Sequence, residues 1–257
     1  MDTEISSRTN SIFKELKKSI REKNKYLYIE GKKLLDEALN SSVNLEAVYV
    51  GKNDENYIEK IMQKKKNTKI IYLKNELIAE IFTTENKPDK GSLALGVAKR
   101  PAYHFEDLFK AQKNLIFLDE IQDPGNLGTI IRSSLAFNCG GIILTKNSVD
   151  PFNTKVIRAS AGSVFKIPIL TIADFRDFCK IAHKNKYKIC GTSSSRGADI
   201  TKLNISGKHV FAFGNEGHGL SAEIMENVDS LIKIPHSEQV ESLNLSVAVS
   251  IILWEVF

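Results

Sequence analysis

The chain has 257 residues, 42% of them apolar and 26% charged, with a formal net charge of +5. That balance supplies the core of one large domain or two modest ones, and it excludes disorder, collagen and coiled coil as whole-chain descriptions. No apolar run reaches the ~18 residues of a membrane span, and the acidic, polar start MDTEISS reads as neither a signal nor a transit peptide. Cys139, Cys179 and Cys190 are odd in number and far apart, so they form neither a disulfide framework nor a zinc pattern. A cytoplasmic location is the expectation.

Residues 8–22 predict an amphipathic helix, with Ile12, Phe13, Leu16 and Ile20 on one stripe among Lys and Arg. A strand at 25–30 leads through Gly31 into a helix at 32–39, followed by a strand at 45–50, a helix at 56–65, a strand at 69–73 and a helix at 76–82. Residues 83–91 read as loop and 92–97 as the last strand of a small α/β domain spanning 1–100. Pro101 disfavours continuation of either element and marks a linker. Beyond it, strands at 114–118, 141–144, 167–170, 187–190, 209–213 and 231–234 alternate with helices at 127–137, 153–160, 175–183 and 222–228. A long apolar helix at 243–257 closes the chain. This alternation predicts that residues 101–257 form an α/β domain with a parallel sheet covered on both faces.

The positive charge is divided unevenly. Residues 1–100 carry 20 Lys and Arg against 15 Asp and Glu, whereas residues 101–257 carry 16 against 16. The clusters Lys14–Lys17–Lys18–Arg21–Lys23–Lys25, Lys32–Lys33 and Lys64–Lys65–Lys66 suit either a phosphate-tracking surface or a solvated helix face.

In parallel sheets of this kind, ligands bind beyond the carboxyl ends of the strands. Three strand ends here carry polar, glycine-rich sequence: DEIQDPGNLG at 119–128, GNEGHGLS at 214–221 and IPHSEQVESLNLS at 234–246. Taken singly, the first is a turn with Asn126 as helix N-cap, and the second is a sharp turn before the capping residue Ser221. Gly214, Gly217 and Gly219 lack the spacing of a dinucleotide fingerprint or a Walker loop. The third crowds Glu238, Glu241, Ser242, Asn244 and Ser246 at the mouth of an otherwise apolar helix, where free N–H groups suit a polar or anionic ligand. All three together point to one ligand site.

The stretches NLGTIIRSS, FGNEGHGLS and IPHSEQVESLNLSVAVSIILWE closely resemble motifs 1, 2 and 3 of the SpoU/TrmH-type members of the SPOUT class, S-adenosylmethionine-dependent RNA 2′-O-ribose methyltransferases. The opening KYLYIEGKKLLDEAL is similar to the L30e-like substrate-binding domain that accompanies some of them. The resemblance implies an α/β trefoil-knot domain at 101–257, a smaller N-terminal L30e-like α/β domain at 1–100, and a homodimer that uses the closing helix. It implies S-adenosylmethionine beside Gly214, Ile234 and Leu243, with Thr192 a further contact. No metal is expected, because no Asp, His or Cys cluster has metal-ligand spacing. It also implies that Arg132 activates a ribose hydroxyl, with Asn126, Glu216, Ser242 and Asn244 as the other polar site residues. Since a guanidinium hardly ever gives up its proton, Arg132 reads as a stabiliser of the forming alkoxide and a phosphate clamp. Arg158, in VIRASAG, matches a segment near the RNA and reads otherwise as a solvated helix arginine. His218 and His236 are not assigned as bases.

The expected substrate is structured RNA, 23S ribosomal RNA ahead of tRNA because of the added N-terminal domain. A silent RNA-binding or ribosome-assembly factor has no chemical need for all five polar residues. An enzyme of small nucleotides leaves the basic first domain unexplained.

Overall fold

A computed structural model describes residues 4–21, 25–83, 90–202 and 207–257. Glu22 of the first predicted helix, Lys23 of the basic cluster and residues 84–89 of the predicted loop lie outside the described residues. The chain divides into two compact units, Met1–Ala102 with Phe152–Arg158, and Tyr103–Pro151 with Ala159–Phe257.

The first unit contains α1 (Ser11–Arg21), β1 (Tyr26–Glu30), α2 (Lys32–Leu39), β2 (Leu45–Val50), α3 (Glu55–Lys64), β3 (Lys69–Tyr72), α4 (Asn75–Ile81) and β4 (Ala94–Lys99). Its sheet runs β1-β4-β2-β3, with β4 antiparallel to both neighbours and β2 parallel to β3. Phe13 and Leu16 of α1 pack with Tyr28, Tyr49, Leu73, Ile78 and Leu95. Phe13, Leu16 and Ile20 of the stripe read from the sequence therefore form the face that meets the sheet, whereas Ile12, expected on the same stripe, is 38% exposed.

The second unit holds α5 (Phe105–Lys110), β5 (Leu115–Leu118), α6 (Pro124–Ala136), β6 (Gly141–Thr145), β7 (Ile169–Ile172), α8 (Phe175–Lys184), β8 (Tyr187–Thr192), β9 (Ala198–Asp199), β10 (Lys208–Phe213), α9 (Ala222–Asn227), β11 (Ser230–Lys233) and α10 (Leu245–Glu255); the short helix α7 (Thr154–Ala159) has residues in both units. The strands run in the order β7-β6-β5-β10-β8-β11-β9, every recorded pair parallel. Their apolar runs are buried because helices cover such a sheet. On one side Phe117 packs on Phe175 and Phe178, with ring centroids at 4.6 and 6.0 Å. Elsewhere α10 packs on α6, joined by a hydrogen bond of 2.9 Å between the Ser133 and Ser250 hydroxyls. Gly128 lets α6 approach the chain after it, since a Cβ there would lie 2.3 Å from the Ala159 Cβ.

The structure departs from the sequence reading in places. Helix α5 is absent from that reading, although its capping box is local: His104 N–H donates to the Asp107 carboxylate at 2.8 Å. Asn126 is not the N-cap of α6. Asp123 holds that position and accepts the Asn126 N–H at 2.7 Å, which lets Pro124 start the helix. The predicted 167–170 strand is shifted to Ile169–Ile172, and β9, two residues long, carries no periodicity to read.

Candidate active site

The carboxyl ends of β5, β10, β8 and β11 lie side by side in the sheet. The chain runs outward from β5 to β7, then returns to fill the other half, so these ends flank the place where strand order reverses. A cavity of about 580 Å³ opens there. It is lined by all four residues expected to hold a cofactor, Thr192, Gly214, Ile234 and Leu243, and by Glu216, Ser242 and Asn244.

The loop after β10 is folded tightly on itself. Asn215 and Gly219 exchange backbone hydrogen bonds at 3.0 and 2.9 Å, and Gly217 N–H donates to Asn215 Oδ1 at 2.8 Å. A Cβ on Gly214 would lie 1.9 Å from the Gly219 carbonyl carbon, so no larger residue fits. The whole of this loop, Gly214 to Leu220, lines the cavity.

Side chains of the three motifs meet at Asn126. Its Nδ2 donates to Glu216 Oε1 at 3.0 Å, and its Oδ1 accepts from Asn244 Nδ2 at 3.1 Å. Asn244 caps α10, its Oδ1 accepting from the Ser246 N–H at 2.9 Å and the Ser246 hydroxyl at 2.7 Å. One chain of hydrogen bonds thus fixes which amide atom points where along the three strand-end segments.

Arg132 stands apart. It is exposed on α6, outside the cavity lining, with no side-chain hydrogen bond or ion pair among the described residues. Arg158 belongs to the first unit, where its Nη1 donates to Glu30 Oε2 at 3.1 Å and to Thr83 Oγ1 at 3.0 Å. The Glu30 side chain is only 4% exposed, so Arg158 neutralises a buried carboxylate rather than standing as a solvated arginine.

The motifs missed part of the lining: Ser193, Arg196, Met225 and Lys233. The polar run SSSR directly after β8 was the available signal for the first two. His218 and His236 also line the cavity, and His236 Nδ1 lies 2.8 Å from the Ile234 carbonyl oxygen. Among the described residues, no group of three or more His, Cys, Asp or Glu side chains converges as a metal site would require.

The S-adenosylmethionine implied by the motifs fits this donor set. The volume lies in the range of cofactor pockets. Leu220, Met225, Ile234 and Leu243 offer apolar surface, and the carboxylates of Glu216 and Glu241 suit a cationic ligand.

The basic clusters of the first unit are partly consumed by the fold. Lys17 pairs with Glu80 at 2.8 Å, and Lys64 Nζ donates to Asn40 Oδ1. Lys65 Nζ donates to the carbonyls of Ser41 at 2.7 Å and Val43 at 3.2 Å. Lys14 and Lys66 are exposed, with no side-chain partner among the described residues.

Residues 113–254 match the SpoU rRNA methylase family, and residues 12–90 match an MRM3-like substrate-binding domain. The chain is 30% identical to the 23S rRNA (guanosine(2553)-2′-O)-methyltransferase RlmP of Bacillus subtilis, over 98% of each chain. It is 36% identical to an uncharacterized tRNA/rRNA methyltransferase of Synechocystis, over 54% of this chain and 51% of that one. Among solved structures, it is similar to the AdoMet-bound rRNA methyltransferase of Sinorhizobium meliloti, with a TM-score of 0.84 at 28% identity over 98% of this chain and 96% of that one.

Proposed function

Because the chain belongs to the SpoU rRNA methylase family, we propose that it is an S-adenosylmethionine-dependent 2′-O-ribose methyltransferase whose substrate is a structured segment of 23S ribosomal RNA. The observation that carries this reading is the hydrogen-bonded set Glu216–Asn126–Asn244 at the cavity formed by β10, β8 and β11. When bound, the cofactor supplies an electrophilic methyl group on a sulfonium.

The residues of this chain bring a weak nucleophile into line. Asn126, held from both sides, orients Glu216 and the Asn244 amide toward the ribose. Glu216, exposed and ionisable, is available to take the hydroxyl proton directly or through water. Arg132 keeps its charge, stabilises the forming alkoxide and clamps a phosphate. Its exposure outside the cavity lining suits a partner that approaches from solvent, which is RNA rather than the cofactor. Ser242 and Leu243 line the cavity beside the glycine loop, where Ser242, exposed, can also meet the RNA. Passage of residues 234–244 beside the tight 214–220 loop is consistent with the trefoil knot of the family.

The first unit captures RNA in this reading, supported by its match to a substrate-binding domain and its excess of cations. A homodimer is part of it too. Val247, Ile251, Trp254 and Phe257 are 47%, 36%, 69% and 73% exposed along the end of the chain, an apolar stripe that a second copy would cover. No helix of the described residues is long and apolar enough to cross a membrane, and a cytoplasmic location is part of this reading. The deciding experiment maps 2′-O-methylation across total RNA with and without this protein. One ribose of 23S rRNA should lose its methyl group. Loss of a tRNA site instead would give the substrate as tRNA, and no lost site would favour a silent RNA-binding factor.

A further inference from the structure

Two residues left without a role by the motifs, Asp119 and Glu120, follow β5 directly. Asp119 is 5% exposed. Its N–H donates to the Phe213 carbonyl at 2.8 Å, which extends the pairing of β5 with β10, and its Oδ2 accepts the Ser221 N–H at 3.0 Å. Glu120 sits in the left-handed region at φ 52°. Its carbonyl accepts from Asn215 Nδ2 at 2.9 Å, its N–H donates to Thr145 Oγ1 at 2.8 Å, and its carboxylate accepts from Asn147 Nδ2 at 2.7 Å.

Residues 214–221 are thus fastened at both ends to a single dipeptide just after the neighbouring strand. The entry is held through Asn215 and the exit through Ser221. A non-glycine residue held at positive φ is costly and persists only where its surroundings over-determine it, and here these hydrogen bonds, with a further one of 3.3 Å from Gln122 Nε2 to the Glu120 carbonyl, do so. The exit bond is the unusual one: among the described residues, a buried carboxylate is given to one backbone N–H. Such charge-assisted bonds are stronger than neutral ones.

We propose that Asp119 is a positioning residue for the methyl-donor site: its carboxylate holds the 214–221 loop in its cofactor-receiving shape before the cofactor arrives. The inference rests on reading the cavity as the S-adenosylmethionine site. If the exit is released, the loop spends part of its time in other shapes, and apparent affinity falls by the competent fraction. Asp119 acts on the cavity through the loop and does not touch the reacting atoms.

The test is S-adenosylmethionine binding by calorimetry to the full chain, with RNA affinity and kcat measured alongside. Asp119→Ala should raise the cofactor Kd about tenfold or more, the scale of losing a hydrogen bond to a charged group. Asp119→Asn keeps an acceptor oxygen and should stay within about threefold. Ser221→Pro removes the donor from the other side, and Ser221 has φ −61°, which proline adopts. It should match Asp119→Ala, and the double variant should be no worse than either single one, because all three lack the same bond. RNA affinity should hold, and kcat at saturating cofactor should fall far less than cofactor affinity. If Asp119→Ala does not fold, Ser221→Pro decides. Unchanged cofactor affinity, additive losses, or a parallel fall in RNA affinity would overturn the proposal while leaving the cofactor reading intact. A wild-type protein that binds no S-adenosylmethionine would instead overturn the cofactor reading, and this proposal with it.

Discussion

Asn126 and Asn244, 118 residues apart in the chain, share a hydrogen bond of 3.1 Å, and the other end of the Asn126 side chain reaches Glu216 at 3.0 Å. Each amide has one oxygen and one NH₂ group, so satisfying both neighbours fixes the orientation of Asn126. The first amide of α6 and the cap of α10 are thereby registered to each other.

Removing that hub should cost activity more than stability. Glu216 and Asn244 are exposed, so water replaces the lost partner cheaply. Asn126→Ala should lower the single-turnover rate at least about tenfold, with a stability change within roughly 1 kcal/mol. Single-turnover kinetics and thermal melting of the same preparation check both parts. A melting shift with normal turnover would make Asn126 purely structural.

Arg132 is expected to matter for chemistry and not for cofactor affinity, because it lies outside the cavity lining. Arg132→Ala should reduce turnover by about 10²-fold or more, the cost of losing a positioned charge-stabilising donor. Its Kd for S-adenosylmethionine should match wild type. Arg132→Lys should rescue poorly, since an ammonium lacks the planar fork. Normal methylation by the alanine variant would remove Arg132 from the site.

His209 gives the second unit an acid-sensitive point. It is 6% exposed, stacked on Phe211, and its Nδ1 has no hydrogen-bond partner among the described residues. Burial holds its pKa below the ordinary 6.5; the Gly207 backbone opposes this, and Lys188 (lowering) and Asp229 (raising) act more weakly. The unfolded chain therefore takes up a proton that the folded chain refuses. This contribution to stability is fully present above pH 6.5 and declines as pH falls below it, toward the folded-state pKa. Melting temperature should drop between pH 7.5 and 5.5, and His209→Phe should flatten that part of the profile. An unchanged slope in the variant would assign the acid sensitivity elsewhere.

Neighbouring lysines should behave differently. Lys66 is exposed with no side-chain partner among the described residues, whereas Lys65 spans two backbone carbonyls. If the first unit contacts phosphates, Lys66→Ala should lower the salt slope of RNA binding by about one counterion, with little change in stability. Lys65→Ala should lower stability by about 1 kcal/mol or more, because two partly buried carbonyls lose their donor. RNA affinity against salt and denaturant melts, measured on both variants, separate the two roles. Equal effects on RNA binding would mean that the fold does not sort them.

Local sequence carries the alternation of strands and helices, the buried positions Phe13 and Leu16 of α1 and the three polar, glycine-rich strand-end segments. Those features are local: period and turn residues are written within a few positions, and the motif residues need only their immediate order to be recognised. Which of those residues meet was decided by tertiary structure. Seating β10 between β5 and β8 brings Asn126, Glu216 and Asn244 within hydrogen-bonding reach and gives Asp119 its grip on Ser221. The same folding spent charges that the sequence left free, since Lys65 ties down backbone carbonyls and Arg158 neutralises the buried Glu30. Burial makes an unpaired charge or carbonyl expensive, so partners are chosen by proximity in the folded chain, and proximity across more than a hundred residues leaves no mark on local sequence.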